Sequence, residues 1–293
     1  MIALPRSIQA VSCSLRARLG RTLAVLSLTI ATTASAQTAS AQAATPATPA
    51  NKSAAAGIVK PTIVLVHGAL TDAMSWSRVI PLLQRDGYYV IAVENPLSSL
   101  EADVATTKRV IDAQKGPVVV VGHSYGGAVI SSAAAGNANV SALVYVAALA
   151  PDSGDVVSAM LDKYPSPLST AFIPDAIGYL YVDRTKLRDV FAADLPVMET
   201  AVLGATQKPI NSAIFTTAVT AAAWKQIPSW YLVARNDRAV SPELQRLLAK
   251  RMRATTVEVS SSHLAMLSRP ADVARLIEQA ARGARRSSTS AAH

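Results

Sequence analysis

A run of four valines that passes directly into a glycine-rich turn constrains the fold more than any other stretch of this chain. The valines occupy positions 118–121, and residues 122–126 then fit the pattern G-x-S-x-G with Ser124 at its centre. A continuous apolar run of this kind indicates a strand buried on both faces, as in a parallel sheet. Small apolar residues at 128–135 predict a helix immediately afterwards. This order places Ser124 at the carboxyl end of the strand.

The turn around Ser124 has the features of a site for a nucleophile. A serine on so sharp a turn needs neighbours with almost no side chain two positions before and after it, and these are Gly122 and Gly126. The hydroxyl is then exposed, and the amide of Tyr125 points into the site at a helix N-terminus. The alternative interpretation is a glycine-rich turn with an incidental serine. The strand before the motif and the helix after it favour the nucleophile.

Strands and helices alternate along most of the chain. The predicted order up to residue 146 is β-α-β-α-β-α-β, with strands at 61–67, 88–93, 118–121 and 140–146 and helices at 75–85, 99–114 and 128–135. This order implies a parallel sheet with right-handed crossovers. Prolines interrupt the alternation at about 151–225, and it resumes from 229 to 282. The sequence therefore predicts an α/β fold, a mostly parallel sheet flanked by helices, with an inserted helical cap.

The first 36 residues have the features of a secretory signal peptide. They contain four arginines and no acidic residue, then a short apolar run, then an A-x-A site that ends at Ala36. A transmembrane anchor is the alternative, but the apolar run is too short to span a bilayer. We expect cleavage after Ala36 and a periplasmic or secreted protein. A flexible Ala-, Thr- and Pro-rich linker is expected at 37–59, the folded domain at 60–282, and a disordered tail at 283–293.

Removal of the signal peptide changes what the composition implies. Its four arginines account for four of the nine net positive charges, and no basic run in the remaining chain suggests nucleic-acid binding. Cys13 is the only cysteine and leaves with the signal peptide. We therefore expect no disulfide, no thiolate metal site and no cysteine nucleophile in the mature chain. No membrane span is expected in it either.

A serine nucleophile needs a base, and the chain has four histidines from which to supply one. His293 ends the predicted tail. His123 is adjacent to Ser124 on a strand, so its side chain is expected to point away from the serine's face. His67 is expected to shape the turn after the first strand. His263 remains, in a loop after the last predicted strand, at the sheet edge where ligands bind in parallel α/β folds.

The base needs a carboxylate to orient it and to stabilise its charged form. Asp237 follows the predicted strand that ends at Ala234 and precedes His263 by one helix and one strand. The order serine, aspartate, histidine is typical of the nucleophile-elbow fold. Asp152 and Asp155, which follow the preceding strand, are the alternatives. We favour Asp237.

An anionic intermediate at Ser124 would need two backbone N–H donors. Tyr125 supplies one amide. The other is expected from the loop after the first strand, where Gly68 permits a close approach and Ala69 provides the N–H. The alternative is that His67 and Gly68 form an ordinary strand-ending turn.

With these residues placed, the chain resembles an α/β-hydrolase over about residues 61–282. It is similar to the small esterases grouped with plant methylesterases and hydroxynitrile lyases. The matching stretches are residues 64–69, 74–76, 122–127, 150–154, 236–238 and 262–263. The resemblance implies hydrolysis of a small ester through an acyl-enzyme at Ser124, with no metal or organic cofactor. Apolar cap residues are expected to wall the pocket and to favour an uncharged or hydrophobic ester; they include Phe172, Tyr179, Tyr181, Phe191, Leu195 and Met198.

Two positions depart from the lyases of this group. The lyases carry a threonine where this chain has Gly68 and a lysine where it has Leu264. Without that lysine, the cation expected to stabilise departing cyanide is missing, which favours ester hydrolysis. A dehalogenase is disfavoured because Ser124 stands where an aspartate would be. The remaining alternatives are a cofactor-free haloperoxidase or perhydrolase, and a non-catalytic ligand-binding protein on the same scaffold.

Overall fold

The computed structural model describes residues 60–290, and their side chains as far as Gly283. The predicted signal peptide, the predicted linker and His293 lie outside the described residues. Within the described part of the chain, no helix is both long and apolar enough to cross a membrane.

A six-stranded sheet forms the centre of the fold, and each neighbouring pair of its strands is parallel. Its strands are β1 (Thr62–Val66), β2 (Val90–Val93), β3 (Val118–His123), β4 (Val140–Val146), β8 (Ser229–Ala234) and β9 (Thr255–Val259). They lie in the order β2-β1-β3-β4-β8-β9. The predicted α/β class, with a mostly parallel sheet flanked by helices, is confirmed.

The valine strand lies in the interior of this sheet. Strand β3 pairs with β1 on one side and β4 on the other, and every residue of β3 is buried. This burial explains the uninterrupted apolar run, because helices cover both faces and neither face meets water. The carboxyl end of β3 then delivers Ser124 to the middle of the sheet edge.

Nine α-helices lie in the described residues. They are α1 (Ile80–Arg85), α2 (Leu100–Asp112), α3 (Gly126–Ala133), α4 (Val157–Lys163), α5 (Arg184–Phe191), α6 (Val197–Thr206), α7 (Pro242–Arg251), α8 (Ala265–Ser268) and α9 (Pro270–Ser290). Three starts follow from side-chain caps: the side chains of Ser99, Asp183 and Ser241 accept hydrogen bonds from the amides of Ala102, Thr185 and Leu244.

Two helices differ from the sequence prediction. The helix predicted at 75–85 is divided into a 3₁₀ turn, Ala73–Trp76, and α1, which has Pro81 in its first turn. Proline lacks an N–H, so a continuous helix through this position would lose a hydrogen bond. Helix α9 continues to Ser290, into the segment where a disordered tail is expected. Gly283 does not end it, because this glycine packs against the ring of Trp230.

The segment between β4 and β8 contains more strand than predicted. Besides α4, α5 and α6, it forms a three-stranded antiparallel sheet of β5 (Phe172–Pro174), β6 (Tyr179–Val182) and β7 (Ile210–Asn211). The sequence predicted a helical cap here. Strands of two or three residues are too short to leave a periodic pattern. Short 3₁₀ turns at Pro167–Thr170, Ser212–Thr216 and Ala223–Lys225 complete the segment, which we call the cap.

Candidate active site

Ser124 lies on a strained backbone between β3 and α3. Its φ angle is 52°, in the left-handed region that a non-glycine residue rarely adopts. Three backbone hydrogen bonds hold it there: its amide donates to Val146 (3.2 Å), and its carbonyl accepts from the amides of Gly127 and Leu149 (both 3.0 Å). Strain that is maintained in this way is typical of functional sites. The surrounding structure therefore fixes the position of the Ser124 side chain.

Glycines allow the backbone to approach Ser124 closely. A Cβ atom on Gly126 would lie 2.6 Å from the carbonyl oxygen of His67, and one on Gly68 would lie 2.7 Å from the Cβ of Ser124. Neither position has room for a side chain. The Gly68 contact also bears on the lyase alternative, because a threonine in this backbone position would collide with Ser124.

His263 and Asp237 form a buried pair. The Nδ1 atom of His263 lies 2.7 Å from Oδ2 of Asp237, and the two residues are 1% and 5% exposed. The same carboxylate accepts hydrogen bonds from the amides of Ala239 (2.7 Å) and Val240 (3.0 Å). These donors hold the carboxylate in one orientation, and an ionised carboxylate facing Nδ1 favours the tautomer with its proton on Nδ1. The other nitrogen, Nε2, is then free to act as a base.

Gln245 is part of this arrangement and was missed by sequence reasoning. Its Nε2 donates to Oδ2 of Asp237 and to the carbonyl of Val240, both at 2.7 Å, and its Oε1 accepts from the amide of Ala234 at 2.9 Å. The side chain is fully buried. A signal was present in the sequence, because Gln245 lies among the apolar, core-facing positions of α7.

The alternative acids are engaged elsewhere. Asp152 pairs with Lys225 at 2.6 Å, and Asp155 pairs with Arg251 at 3.1 Å. The structure thus brings Asp237 to His263 and gives the two alternatives other partners. The catalytic roles of these residues are taken up below as a proposal.

His67 and His123 are both fully buried. Nδ1 of His67 lies 2.8 Å from the carbonyl of Gly68, and its Nε2 accepts from the amide of Asn95 at 3.0 Å. This is the turn-shaping position expected for it. Burial lowers the pKa of His67. Burial, together with the neighbouring His263, holds the pKa of His123 well below its usual value.

The side chain of His123 does not lie apart from the site. Its ring is 4.6 Å from the ring of His263, and its Nε2 donates to the carbonyl of His263 at 3.1 Å. The strand alternation predicted the direction of the side chain relative to Ser124, but it gave no information on which loop returns to cover that face. His123 therefore supports the loop that carries His263.

The two buried histidines predict a pH-dependent stability. Their folded-state pKa values lie below the unfolded-state value of about 6.5, so the unfolded chain binds more protons between the two values. We expect the unfolding free energy to decrease as the pH falls from 7 to 5, by up to about 1.4 kcal/mol per pH unit for each histidine. Urea unfolding at several pH values in this range measures the unfolding free energy, which should depend less steeply on pH in His67→Gln than in wild type. Equal dependence on pH would contradict a lowered pKa of His67 in the folded protein.

The two residues expected to supply the oxyanion-binding amides lie at the cavity beside Ser124. Ala69 and Tyr125 line this cavity together with Ser124. Within residues 60–290, neither amide donates to a protein acceptor. A pair of backbone N–H donors beside a serine is the arrangement that stabilises an oxyanion. The side chain of Tyr125 anchors the turn, because its hydroxyl donates to Asp103 at 2.8 Å.

The cavity at Ser124 is small and mainly apolar. Its volume is about 200 Å³. The cap and the neighbouring loops supply apolar walls: Leu149, Leu161, Pro165, Leu168, Phe172, Phe191, Phe215, Ala239 and Val240. Of the six cap residues expected to wall the pocket, Phe172 and Phe191 do so. Among the described residues that line the cavity, Asp162 is the charged one. Within the described part of the chain, no three His, Cys, Asp or Glu residues are grouped to hold a metal ion.

Comparison with known proteins identifies a family and several relatives. Residues 63–276 match the alpha/beta hydrolase family. The chain is 30% identical over 247 residues to the alpha/beta hydrolase nvfD of Aspergillus novofumigatus, covering 76% of this chain and 98% of that protein. It is 25% identical over 211 residues to methylesterase 8 of Arabidopsis thaliana, covering 64% and 77%.

Solved structures share the fold. A pyrethroid hydrolase from Sphingobium faniae matches with a TM-score of 0.65 and 24% identity, covering 76% of this chain and 97% of that one. Polyneuridine aldehyde esterase matches with a TM-score of 0.67 and 19% identity, covering 75% and 99%.

Proposed function

Because the chain belongs to the alpha/beta hydrolase family and is an esterase-type hydrolase, we propose that it cleaves carboxylic esters through an acyl-enzyme intermediate on Ser124. The observation that carries this proposal is the buried hydrogen bond between His263 and Asp237, in the same sheet edge as a strained serine. A histidine held by a carboxylate can take a proton from a serine hydroxyl at neutral pH. The relatives named as methylesterases support the choice of ester over other substrates.

Acylation would use each part of the site. Ser124 Oγ attacks the ester carbonyl while Nε2 of His263 takes the hydroxyl proton, and Asp237 stabilises the imidazolium that forms. The carbonyl oxygen becomes an oxyanion and accepts hydrogen bonds from the amides of Ala69 and Tyr125. The tetrahedral intermediate then collapses. The bond to the leaving alcohol breaks, and His263 gives its proton to that alcohol.

Deacylation would repeat these steps with water. His263 takes a proton from a water molecule, and the resulting hydroxide attacks the acyl-serine carbonyl. The same two amides stabilise the second oxyanion. Collapse releases the carboxylic acid and returns the proton to Ser124 Oγ. None of these acylation and deacylation steps needs a metal ion or an organic cofactor.

The cavity supports a small, uncharged ester as the substrate class. Its volume of about 200 Å³ lies below the roughly 300–1,000 Å³ typical of sites for drug-sized ligands, which favours a small ester. Apolar side chains line most of it, and Asp162 would repel an acyl group with its own carboxylate. We therefore propose an ester whose acyl arm carries no charge.

A panel of aryl esters tests this proposal. With the aryl leaving group held constant, we expect kcat/KM to be highest for uncharged acyl chains of short to medium length. A succinyl ester, which carries a charge on the acyl arm, should be turned over at least about tenfold more slowly, because one unpaired buried charge costs more than 1.4 kcal/mol. Equal rates across the panel would contradict a shaped, apolar cavity.

The same panel separates the two other classes of function. Oxidation of halide in the presence of peroxide, with negligible ester turnover, would favour a haloperoxidase or perhydrolase. Binding of apolar esters without turnover of either kind would favour a ligand-binding protein. The presence of serine, aspartate and histidine in the chain order of the fold argues against a ligand-binding protein. The relatives named as methylesterases favour hydrolysis over halide oxidation.

We also propose that the protein acts outside the cytoplasm, after cleavage following Ala36. The support is the arginine-rich start, the short apolar run and the A-x-A site of residues 1–36. The mass of the exported chain, expressed at full length, should correspond to a start at Gln37. A full-length chain retained in the cytoplasm would contradict this proposal.

A further inference from the structure

The cap contacts two loops of the site: the loop that carries Asp237 and the loop that carries His263. On the acid side, the hydroxyl of Ser166 donates to the carbonyl of Ala239 at 2.7 Å, and the amide of Leu168 donates to the carbonyl of Arg238 at 3.1 Å. These contacts are made to the two residues that follow Asp237. The cap is thus part of the support of the site as well as a wall of its cavity.

On the base side, one carboxylate makes the contact. Asp194 lies between α5 and α6, and its Oδ2 accepts a hydrogen bond from the amide of Ser262 at 2.9 Å. Its Oδ1 accepts from the hydroxyl of the same serine. Ser262 is 3% exposed and immediately precedes His263. Two charge-assisted hydrogen bonds to one residue fix both its position and its orientation.

A second contact from the same cap segment reaches His263 itself. The ring of Phe191, three residues before Asp194, lies 4.9 Å from the imidazole ring and also lines the cavity at Ser124. The imidazole therefore packs against the rings of both His123 and Phe191. Asp194 follows Phe191 by three residues, and its hydrogen bonds to Ser262 hold this part of the cap against the loop that carries His263.

We propose that Asp194 is a positioning residue for His263. It acts through Ser262, and it sets the distance and angle at which Nε2 meets the serine hydroxyl and the leaving alcohol. The inference rests on the proposed esterase function, since it assigns a residue to the same site. It is testable because Asp194 touches neither the reacting atoms nor the hydrogen bond between His263 and Asp237.

Kinetics of three variants test the role. Asp194→Ala removes both acceptors and should lower kcat about 10- to 100-fold, the effect of a displacement of about 1 Å, with KM nearly unchanged. Asp194→Asn should restore most of kcat, because its amide oxygen accepts from the Ser262 amide and its NH₂ donates to the Ser262 hydroxyl. Asp189→Ala is the matched control: this exposed carboxylate lies on the same cap, and its ion pair with Arg188 spans 3.9 Å.

Proton NMR supplies a readout that needs no substrate. The proton between His263 Nδ1 and Asp237 should give a strongly downfield signal that is absent in His263→Ala. We expect this signal to broaden or shift in Asp194→Ala and to be retained in Asp194→Asn and Asp189→Ala. If Asp194 only stabilised the fold, its replacement would lower the melting temperature, but the NMR signal would be unchanged at temperatures well below that melting temperature.

The outcomes separate this proposal from the proposed function. If wild type cleaves esters and Ser124→Ala does not, but Asp194→Ala matches Asp189→Ala in kcat and in the NMR signal, the positioning role is wrong and the function stands. If wild type shows no ester turnover, the function fails and the NMR signal still decides the role of Asp194. Should Asp194→Ala fail to fold, Ser262→Ala, which loses the hydroxyl donor alone, should show a smaller loss of kcat; no loss would overturn the proposal.

Discussion

Replacement of Ser124 by alanine should lower kcat/KM for ester hydrolysis by about 10⁴-fold or more, the cost of removing the nucleophile from a serine–histidine–aspartate site. The change deletes one oxygen atom from a residue that is 8% exposed, and no hydrogen bond of the described structure depends on its hydroxyl. The fold and the oxyanion-binding amides should therefore remain. We expect unchanged thermal unfolding and a loss confined to catalysis.

Ser169→Ala is the matched control for this experiment. Ser169 also lines the cavity, and its hydroxyl donates to the carbonyl of Ser166 at 2.8 Å. Its loss should change kcat/KM only a few-fold. If Ser124→Ala retained the wild-type rate while Ser169→Ala lost it, the nucleophile would have been assigned to the wrong serine.

Replacement of Gly126 by alanine should damage both stability and catalysis. The added Cβ would lie 2.6 Å from the carbonyl oxygen of His67 and 2.7 Å from that of Val66. These are backbone atoms at the end of β1, so α3 and the strand would have to separate. Forcing an extra carbon into a packed interior costs about 1–3 kcal/mol of unfolding free energy, occasionally more.

The catalytic loss in Gly126→Ala follows from the same displacement. Ser124 and the Tyr125 amide would move away from Ala69, and a misplacement of about 1 Å costs about 100-fold in rate. Gly116→Ala is the control, because a Cβ there meets no atom within 4 Å. Urea unfolding and aryl-ester turnover should separate the two variants. Equal behaviour would show that the turn does not need its small residues.

The central part of the fold could be predicted because its signals are local. The valine run, the glycines around Ser124 and the apolar strands each need only neighbouring residues to be interpreted. His263 and Asp237 could be selected because few candidates of each type follow a strand. Local patterns therefore determined the sheet, the turn and the candidate site residues.

The parts that were missed depend on contacts between distant segments. The position of Gln245 among the core-facing residues of α7 indicates burial but not its partner, and no local pattern marks Asp194. Their roles arise only when α7 and the cap meet Asp237 and Ser262. The antiparallel sheet of the cap pairs strands of two to four residues. Gly283 was expected to mark an end of order, but its missing side chain instead lets α9 pack on Trp230. In each case tertiary packing, which no local pattern encodes, decided the outcome.

The most direct test of the account is mass spectrometry of the protein quenched in acid shortly after mixing with a slowly hydrolysed aryl ester. The account predicts one added acyl group, located by peptide mapping on the segment that contains Ser124 and absent in Ser124→Ala. Ester turnover by wild type with no acyl group at Ser124, or with the acyl group on another residue, would contradict it.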